Sequence, residues 1–389
     1  MAPGKTIPLA WRNLTESKLR LLASVAGTAF AVTLMFMENG FRSAMLDSMV
    51  NVIERFDGQM VLVSRTLYTL SVPYSFPMRR IVQARNFPEV VGASPVYVVA
   101  RTGYWRGPET GKLERICVVG YPPEDDVLDV PELKKHREDW DRPDTAMADA
   151  LSRTDQFGVF HKGQVSELSG RRVEIAGTFE LGVNVQSNGN LVMSDRNMMK
   201  YFPNLNGVSV GDRSVTVGVL RVRPGANLQR LRGELQAALP PDVRVLTKAE
   251  FIARERGFWD KVAPIGTVFY IGVVMGFIVG SVICYQVLYS DVSNRLGEFA
   301  TLKAMGYTSM DLYRVVLMQA VYLGLMGYVA GLAVSVVLFD WVHRATGLPL
   351  DLPRNNPFII LALAVAMCVG SGAYAARRLI SADPAQLFA

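Results

Sequence analysis

Histidine and cysteine are the scarcest chemistry-bearing residues in this sequence, three of each among 389. Cys117, Cys284 and Cys368 stand far apart, the last two inside apolar runs, so no disulfide within the chain is expected. His136, His161 and His343 are scattered. No Cys/His spacing would hold a metal, and no cofactor of any kind is expected. Nucleotide-binding motifs are missing too. "PGKT", ending at Thr6, resembles the end of a phosphate-binding loop, but the residues before it leave no room for the earlier glycine and strand. "ELSGRR", Glu167 to Arg172, resembles an ATPase signature without its Walker motif and reads as a turn. There is no paired acid/base set, no G-x-S-x-G elbow and no HExxH, so no catalytic residue is assigned and the chain is not expected to be an enzyme. Basic blocks interleaved with aromatics are also lacking, which argues against nucleic acid as a partner despite a net charge of +6.

Apolar residues are abundant, at 50% of the chain. Four runs are long and uncharged enough to cross a bilayer, which takes roughly 20 residues. They predict transmembrane helices over 21–40, 262–290, 315–339 and 357–376. The first has a basic flank but is longer than a signal-peptide core, and "ENGFRSAML" is a poor cleavage site, so it reads as an uncleaved anchor. Lys5, Arg12, Lys18 and Arg20 precede it, Arg295, Lys303 and Arg314 lie between the second and third runs, and Arg377 and Arg378 follow the last. By the positive-inside rule these regions share the cytoplasmic side: 1–20, 291–314 and the tail 377–389. The loop 340–356, where Arg344 and Arg354 are offset by Asp340 and Asp351, and the long segment 41–261 are then external.

The external segment is large enough for a folded domain. "FRSAMLDSMVNVIERF" has helical periodicity and continues the first span outward. "LTKAEFIARERGFWDKV" opens with a capping box, Thr247 and Glu250, and leads into the second span, so the two helices form a stalk. Between them "QMVLVSR", "PVYVVAR", "ERICVVGY", "RRVEIAGTFE" and "RSVTVGVLRVR" read as strands, and "NLQRLRGELQAAL" as a helix. "EDDVLDVPELKKHREDWDRPD" reads as an exposed insertion or linker. The fold class expected is an α-helical membrane protein with four transmembrane helices and a large α+β domain, in two lobes, between the first two.

No span carries an ionisable residue near its centre, and Glu38 sits at the outer end of the first. That absence argues against ion-coupled transport. Four spans enclose little volume, so a homodimer is expected. Gly272, Gly276 and Gly280 recur every four residues in the second span, and Gly327, Gly331 and Ser335 do so in the third. Small-xxx-small spacing lets backbones approach closely, whether between subunits or inside one.

One polar helix interrupts the apolar half of the chain, "GEFATLKAMGYTSMDLYR", Gly297 to Arg314. On a helical wheel Leu296, Phe299, Ala300 and Ala304 share one side, and Glu298, Thr301 and Met305 the other. Gly306 ends the helix. The apolar side suits the protein's own spans or lipid headgroups, and the opposite side suits a partner. A helix resting on the membrane surface presents a similar pattern.

The four-span layout, "GEFATLKAMGY" and the C-terminal "ADPAQLF" together resemble the FtsX/MacB-type permeases of ABC exporters. Within that superfamily "GNLVMSDRNM", "EFIARERGFW", "PIGTVFYIGVVMGFIVG" and "CYQVLYSDVSNRLGEFATLKAMGY" resemble the DevC group of heterocyst glycolipid export. The resemblance is strongest over Leu246 to Leu312. It implies a homodimeric inner-membrane permease that binds a separate cytoplasmic ABC ATPase and transmits its motion to the periplasmic domain. A periplasmic membrane-fusion adaptor, an outer-membrane channel and membrane lipids are the other implied partners, and a lipid, glycolipid or other amphipathic molecule is the implied cargo. It further implies that Glu298, Phe299, Thr301, Leu302, Lys303, Met305 and Gly306 form the ATPase-coupling helix. The alternatives are an FtsX-like regulator of cell-wall hydrolases, a Lol-like lipoprotein-extracting permease, and a membrane-anchored enzyme or sensor working without an ATPase.

The topology has a direct test. A cysteine introduced near Asp139 should react with a membrane-impermeant maleimide from the periplasmic side alone, and labelling from the cytoplasmic side would invert the assignment.

Overall fold

The computed structural model describes residues 6–381, apart from 73, 108–110, 185, 206–207, 210–213, 263–264, 347–349 and 351–355. Most of "PGKT", all of "ADPAQLF" and 347–349 and 351–355 of the 340–356 loop lie outside the described residues. The chain divides into two compact units, one of Met1–Ser43, Ile265–Val342 and Leu350–Ala389, the other of Ala44–Pro264 and His343–Pro349.

In the first unit, among the described residues, four helices are long and apolar enough to cross a membrane. They run Lys18–Ser48, Ile265–Asn294, Ser309–Thr346 and Asn356–Ser381. Each is longer than its expected span, because polar turns continue the backbone hydrogen bonding past the apolar stretch. The third begins at a second capping box. Thr308 N–H donates to Asp311 Oδ2 at 3.1 Å, and Asp311 N–H donates to Thr308 Oγ1 at 3.2 Å. A shorter amphipathic helix, Thr6–Thr15, precedes them.

The glycines explain how these helices approach one another. A Cβ on Gly331 would stand 2.8 Å from the Ala29 carbonyl oxygen, one on Gly327 2.4 Å from Thr28 Cγ2, and one on Gly280 2.7 Å from Ala31 Cβ. A Cβ on Gly276 would stand 3.2 Å from Met35 Cγ, and one on Gly272 would run into the Glu38 carboxyl group. Gly272, Gly276 and Gly280 of the second span helix therefore pack against the chain's own first span helix. Cys284 and Cys368 are unbridged but adjacent, with Sγ atoms 3.3 Å apart between the second and fourth span helices.

The second unit is built on one mixed sheet of eleven strands among the described residues. From edge to edge the strands are Val243–Thr247, Met60–Ser64, Val217–Val222, Val90–Val99, Cys117–Tyr121, Asn190–Ser194, Thr145–Asp149, Arg171–Phe179, Val165–Leu168, Tyr104–Arg106 and Leu113–Arg115. The two lobes expected from sequence share this sheet. The strand Val90–Val99 pairs through Val90–Val96 with Val217–Val222 and through Tyr97–Val99 with Cys117–Tyr121, so it belongs to both halves. One face buries Met60, Leu62, Trp105, Phe157 and Ile175, the other Val61, Val63, Val119, Trp140 and Phe251.

Two local readings meet different outcomes. "ELSGRR" is a hairpin turn whose central residues, Ser169 and Gly170, both have positive φ, 49° and 83°. That is the backbone a two-residue hairpin asks for. The stretch read as an exposed insertion is instead part of the core. It forms short helices Pro131–Lys135 and Arg137–Trp140, and Val127, Leu128, Val130, Leu133 and Trp140 are buried. Their charged neighbours point outward and mask the apolar spacing.

A buried carboxylate holds the middle of the sheet to its loops. Asp149, fully buried, accepts from Leu151 N–H at 3.0 Å, Leu181 N–H at 3.1 Å, Gly182 N–H at 2.9 Å and Asn190 Nδ2 at 2.8 Å. Burial pushes its carboxyl group above the usual carboxylate range, and these four donors oppose the shift. With the folded value raised, the carboxyl adds stability as pH falls through that value and withdraws it as pH rises. Asp149→Ala would strand four donors, so we expect it to destabilise this unit by about 3 kcal/mol or more. An unchanged thermal midpoint for the purified variant would contradict this role.

Candidate functional site

The second span helix stops at Asn294, and the next helix, Leu296–Ala304, starts after one non-helical residue, Arg295, with φ −108° and ψ 14°. Arg295 is the hub of the surrounding polar cluster. Its Nε donates to Asp291 Oδ1 at 3.2 Å and its Nη2 to the Asn13 carbonyl at 2.9 Å. Nη2 also pairs with Glu16, and Nη1 reaches Glu298 Oε2 at 3.4 Å. Asp291 in turn receives Gln319 Nε2 at 3.4 Å and faces Arg20 at 3.6 Å. Arg295 and Asp291 are both buried, while Glu298 is exposed. A guanidinium fork suits this task because its donors are fixed in one plane. The cluster joins the N-terminal helix, the first, second and third span helices and the helix that follows Arg295.

The Leu296–Ala304 helix has an inward and an outward side. Phe299 and Ala300 are buried, and Phe299 packs with Val292, Leu312, Val316 and Ala376. Leu296, Leu302, Tyr307 and Tyr313 flank that cluster. Glu298, Thr301 and Met305 are exposed, Met305 to 65%. Ala304, assigned by the wheel to the apolar side, is exposed, and Leu302 takes its place against the core. With Phe299 at the centre of the buried side, Leu302 stands about 60° from it around the helix and Ala304 about 140°. Gly306 N–H donates to Lys303 O and Tyr307 N–H to Leu302 O, and Gly306 has φ +97°. This is a Schellman motif, in which only glycine is unstrained at the left-handed position. Met305 is the capping residue itself.

The predicted coupling residues thus fall into two groups. Phe299 and Leu302 anchor the helix to the bundle, and Gly306 terminates it. Glu298, Thr301 and Met305 project from the opposite side, and Lys303 is half-buried. The sequence reading missed Arg295, Asp291, Glu16 and Gln319. One signal was available, the i, i+4 spacing of Asp291 and Arg295 at the end of an uncharged helix.

Residues 270–384 match the FtsX-like permease C-terminal family, which takes in most of the second span helix, the polar helix and the whole of the third and fourth span helices. An uncharacterized ABC transporter permease of Methanocaldococcus jannaschii is 23% identical over 190 residues, 46% of this chain. The chain spans 44% of that relative's length. Among solved structures, the periplasmic region of MacB from Actinobacillus actinomycetemcomitans is 11% identical, with a TM-score of 0.34 over 51% of this chain and 92% of that one. The extracellular domain of the ABC-type transporter YknZ from Gram-positive bacteria is 12% identical, with a TM-score of 0.33 over 49% and 98%.

Removing the hub has a predictable cost. Arg295→Ala would leave Asp291 buried without its closest cation, an effect of about 3 kcal/mol or more. We expect loss of amide-exchange protection in the Thr6–Thr15 helix, with the eleven-stranded sheet unaffected. Unchanged exchange at residues 10–16 would remove Arg295 as the tether.

Proposed function

We propose that this chain is the permease subunit of an ABC exporter. It spans the inner membrane four times as a homodimer, and a separate cytoplasmic ATPase supplies the energy. The Leu296–Ala304 helix is the coupling helix, and its exposed Glu298, Thr301 and Met305 seat in a groove of that ATPase. The observation that carries this reading is the division of one short helix into a side held by the chain's own core and a side left exposed. The family match over residues 270–384 and the FtsX/MacB-like sequence pattern support it. Motion received there passes through the span helices to the α+β domain on the periplasmic side. A membrane-fusion adaptor and an outer-membrane channel complete the export path. The similarity of "EFIARERGFW" and "GNLVMSDRNM" to the DevC group favours a lipid, glycolipid or other amphipathic cargo.

A docked anchor side chain in such an interface contributes roughly 2 kcal/mol or more. Glu298→Lys with Met305→Ala should lower co-purification of the cognate ATPase, and permease-stimulated ATP hydrolysis, by about tenfold or more, while membrane insertion and the outer domain persist. Both residues are exposed, and because Glu298 also contacts Arg295, unchanged amide exchange in the Thr6–Thr15 helix of the variant separates lost docking from a disturbed hub. Wild-type values for recruitment and stimulation in the double variant would leave this helix as a membrane-surface element.

A further inference from the structure

At one edge of the eleven-stranded sheet, where the strand Val243–Thr247 begins, lies a cleft of about 530 Å³. That volume falls within the range of small-ligand sites. Leu239, Pro241 and Val243 supply apolar wall, Gln236 forms part of the rim, and Arg65 and Arg244 bring two guanidinium groups. Neither guanidinium has a side-chain partner among the described residues. The acid nearest in sequence, Asp242, is already occupied, since Arg80 Nε and Nη2 reach its Oδ2 at 3.0 and 2.9 Å. Two cationic residues therefore line one apolar-walled hollow, and no acid among the described residues pairs with either of them.

The backbone around the cleft narrows the choice of occupant. An exposed sheet edge ordinarily invites an extended peptide. Here Gln236 occupies that position, its Nε2 donating to the Val243 carbonyl at 3.2 Å and its Oε1 accepting from Val245 N–H at 2.9 Å. Thr247 N–H is taken by Glu250 Oε2 at 2.9 Å. With the edge closed, a ligand is held by side chains alone, a charged head on the arginines and carbon on Leu239 and Pro241. We propose that this cleft binds an amphiphile with an anionic head group, its phosphate or carboxylate paired with Arg65 and Arg244 and the first part of its tail against Leu239 and Pro241. The inference rests on the lining residues and stands or falls apart from the permease reading.

The full chain in zwitterionic-lipid nanodiscs is titrated by calorimetry with octyl phosphate, inorganic phosphate and octyl glucoside, beside an Arg65→Gln, Arg244→Gln double variant. Neither arginine has a partner to abandon, so the variant should keep the wild-type thermal midpoint. Octyl phosphate should saturate a single site in the wild type and bind about tenfold or more weakly in the variant. Inorganic phosphate should bind about tenfold or more weakly than octyl phosphate, for want of a tail to bury. Octyl glucoside should show only lipid partitioning. A Pro241→Ser variant should weaken octyl phosphate and leave inorganic phosphate unchanged. Equal octyl phosphate binding in wild type and double variant would overturn the proposal. So would inorganic phosphate binding as tightly as octyl phosphate, which would make the cleft a plain anion site. Saturable binding of a poly-glutamate peptide with none of octyl phosphate would overturn it in favour of an acidic protein partner.

Discussion

A buried ion pair at the end of an apolar helix is the constraint on which the rest of the helical unit depends. Taking a carboxylate and a guanidinium out of water costs several kcal/mol each, and a single contact between them does not recover it. Asp291 and Arg295 persist because their remaining valences are filled by Asn13, Glu16, Glu298, Gln319 and Arg20. Each partner comes from a helix or turn that must be in place for the charges to be tolerated. The pair therefore specifies an arrangement more than it adds stability. It also fixes where the long helix ends, since Arg295 leaves helical geometry at the residue whose side chain is most engaged.

Above that cluster the helices are held by closeness. Gly331 meets the Ala29 backbone, and Thr33 donates its hydroxyl to the Gly331 carbonyl at 3.2 Å. Gly372 approaches Ala320 at 2.8 Å, measured from a Cβ it lacks. In a bilayer no hydrophobic force drives helices together, so such backbone approaches and the hydrogen bonds they permit supply the association. The small-residue spacing was legible in the sequence. Which helix it faced was not, because the same spacing serves packing inside a subunit and between subunits.

What could be read from the chain was whatever is local. The apolar runs, the Thr247–Glu250 capping box and the Leu228–Ala238 helix are each set by residues within a turn or two of one another. The strands Thr145–Asp149 and Asn190–Ser194 escaped, since strands buried on both faces show no polar alternation and "TAMAD" is poor in β-branched residues. The sharing of one sheet by two expected lobes escaped for a related reason. "PVYVVAR" reads as a single apolar strand, and only the pairing of Val90–Val99 reveals that it serves Val217–Val222 through its first part and Cys117–Tyr121 through its last. At the candidate site, the exposed row of Glu298, Thr301 and Met305 followed from helical period alone. The hub did not, because Arg295 and Asn13 are separated by 282 residues.

The hub also decides how the proposed coupling helix would work. A helix of nine residues on a flexible tether would absorb a push at its outer side by rocking. This one is pinned at both ends. Arg295 fixes its N-terminus to three span helices and the N-terminal helix, and the Schellman turn at Gly306 hands the chain directly to the capping box of the third span helix. Between those ends Phe299 is buried in the same apolar cluster as Val292, Leu312, Val316 and Ala376, which come from the three span helices after the first. Glu298 belongs to both sides, since its carboxylate contacts Arg295 yet remains exposed. A load on the outer side would therefore displace the ends of those helices together, because close-packed interiors transmit strain and do not absorb it. On the proposed reading, what passes along the bundle is a rigid-body shift, and the partner needs only to move this one helix.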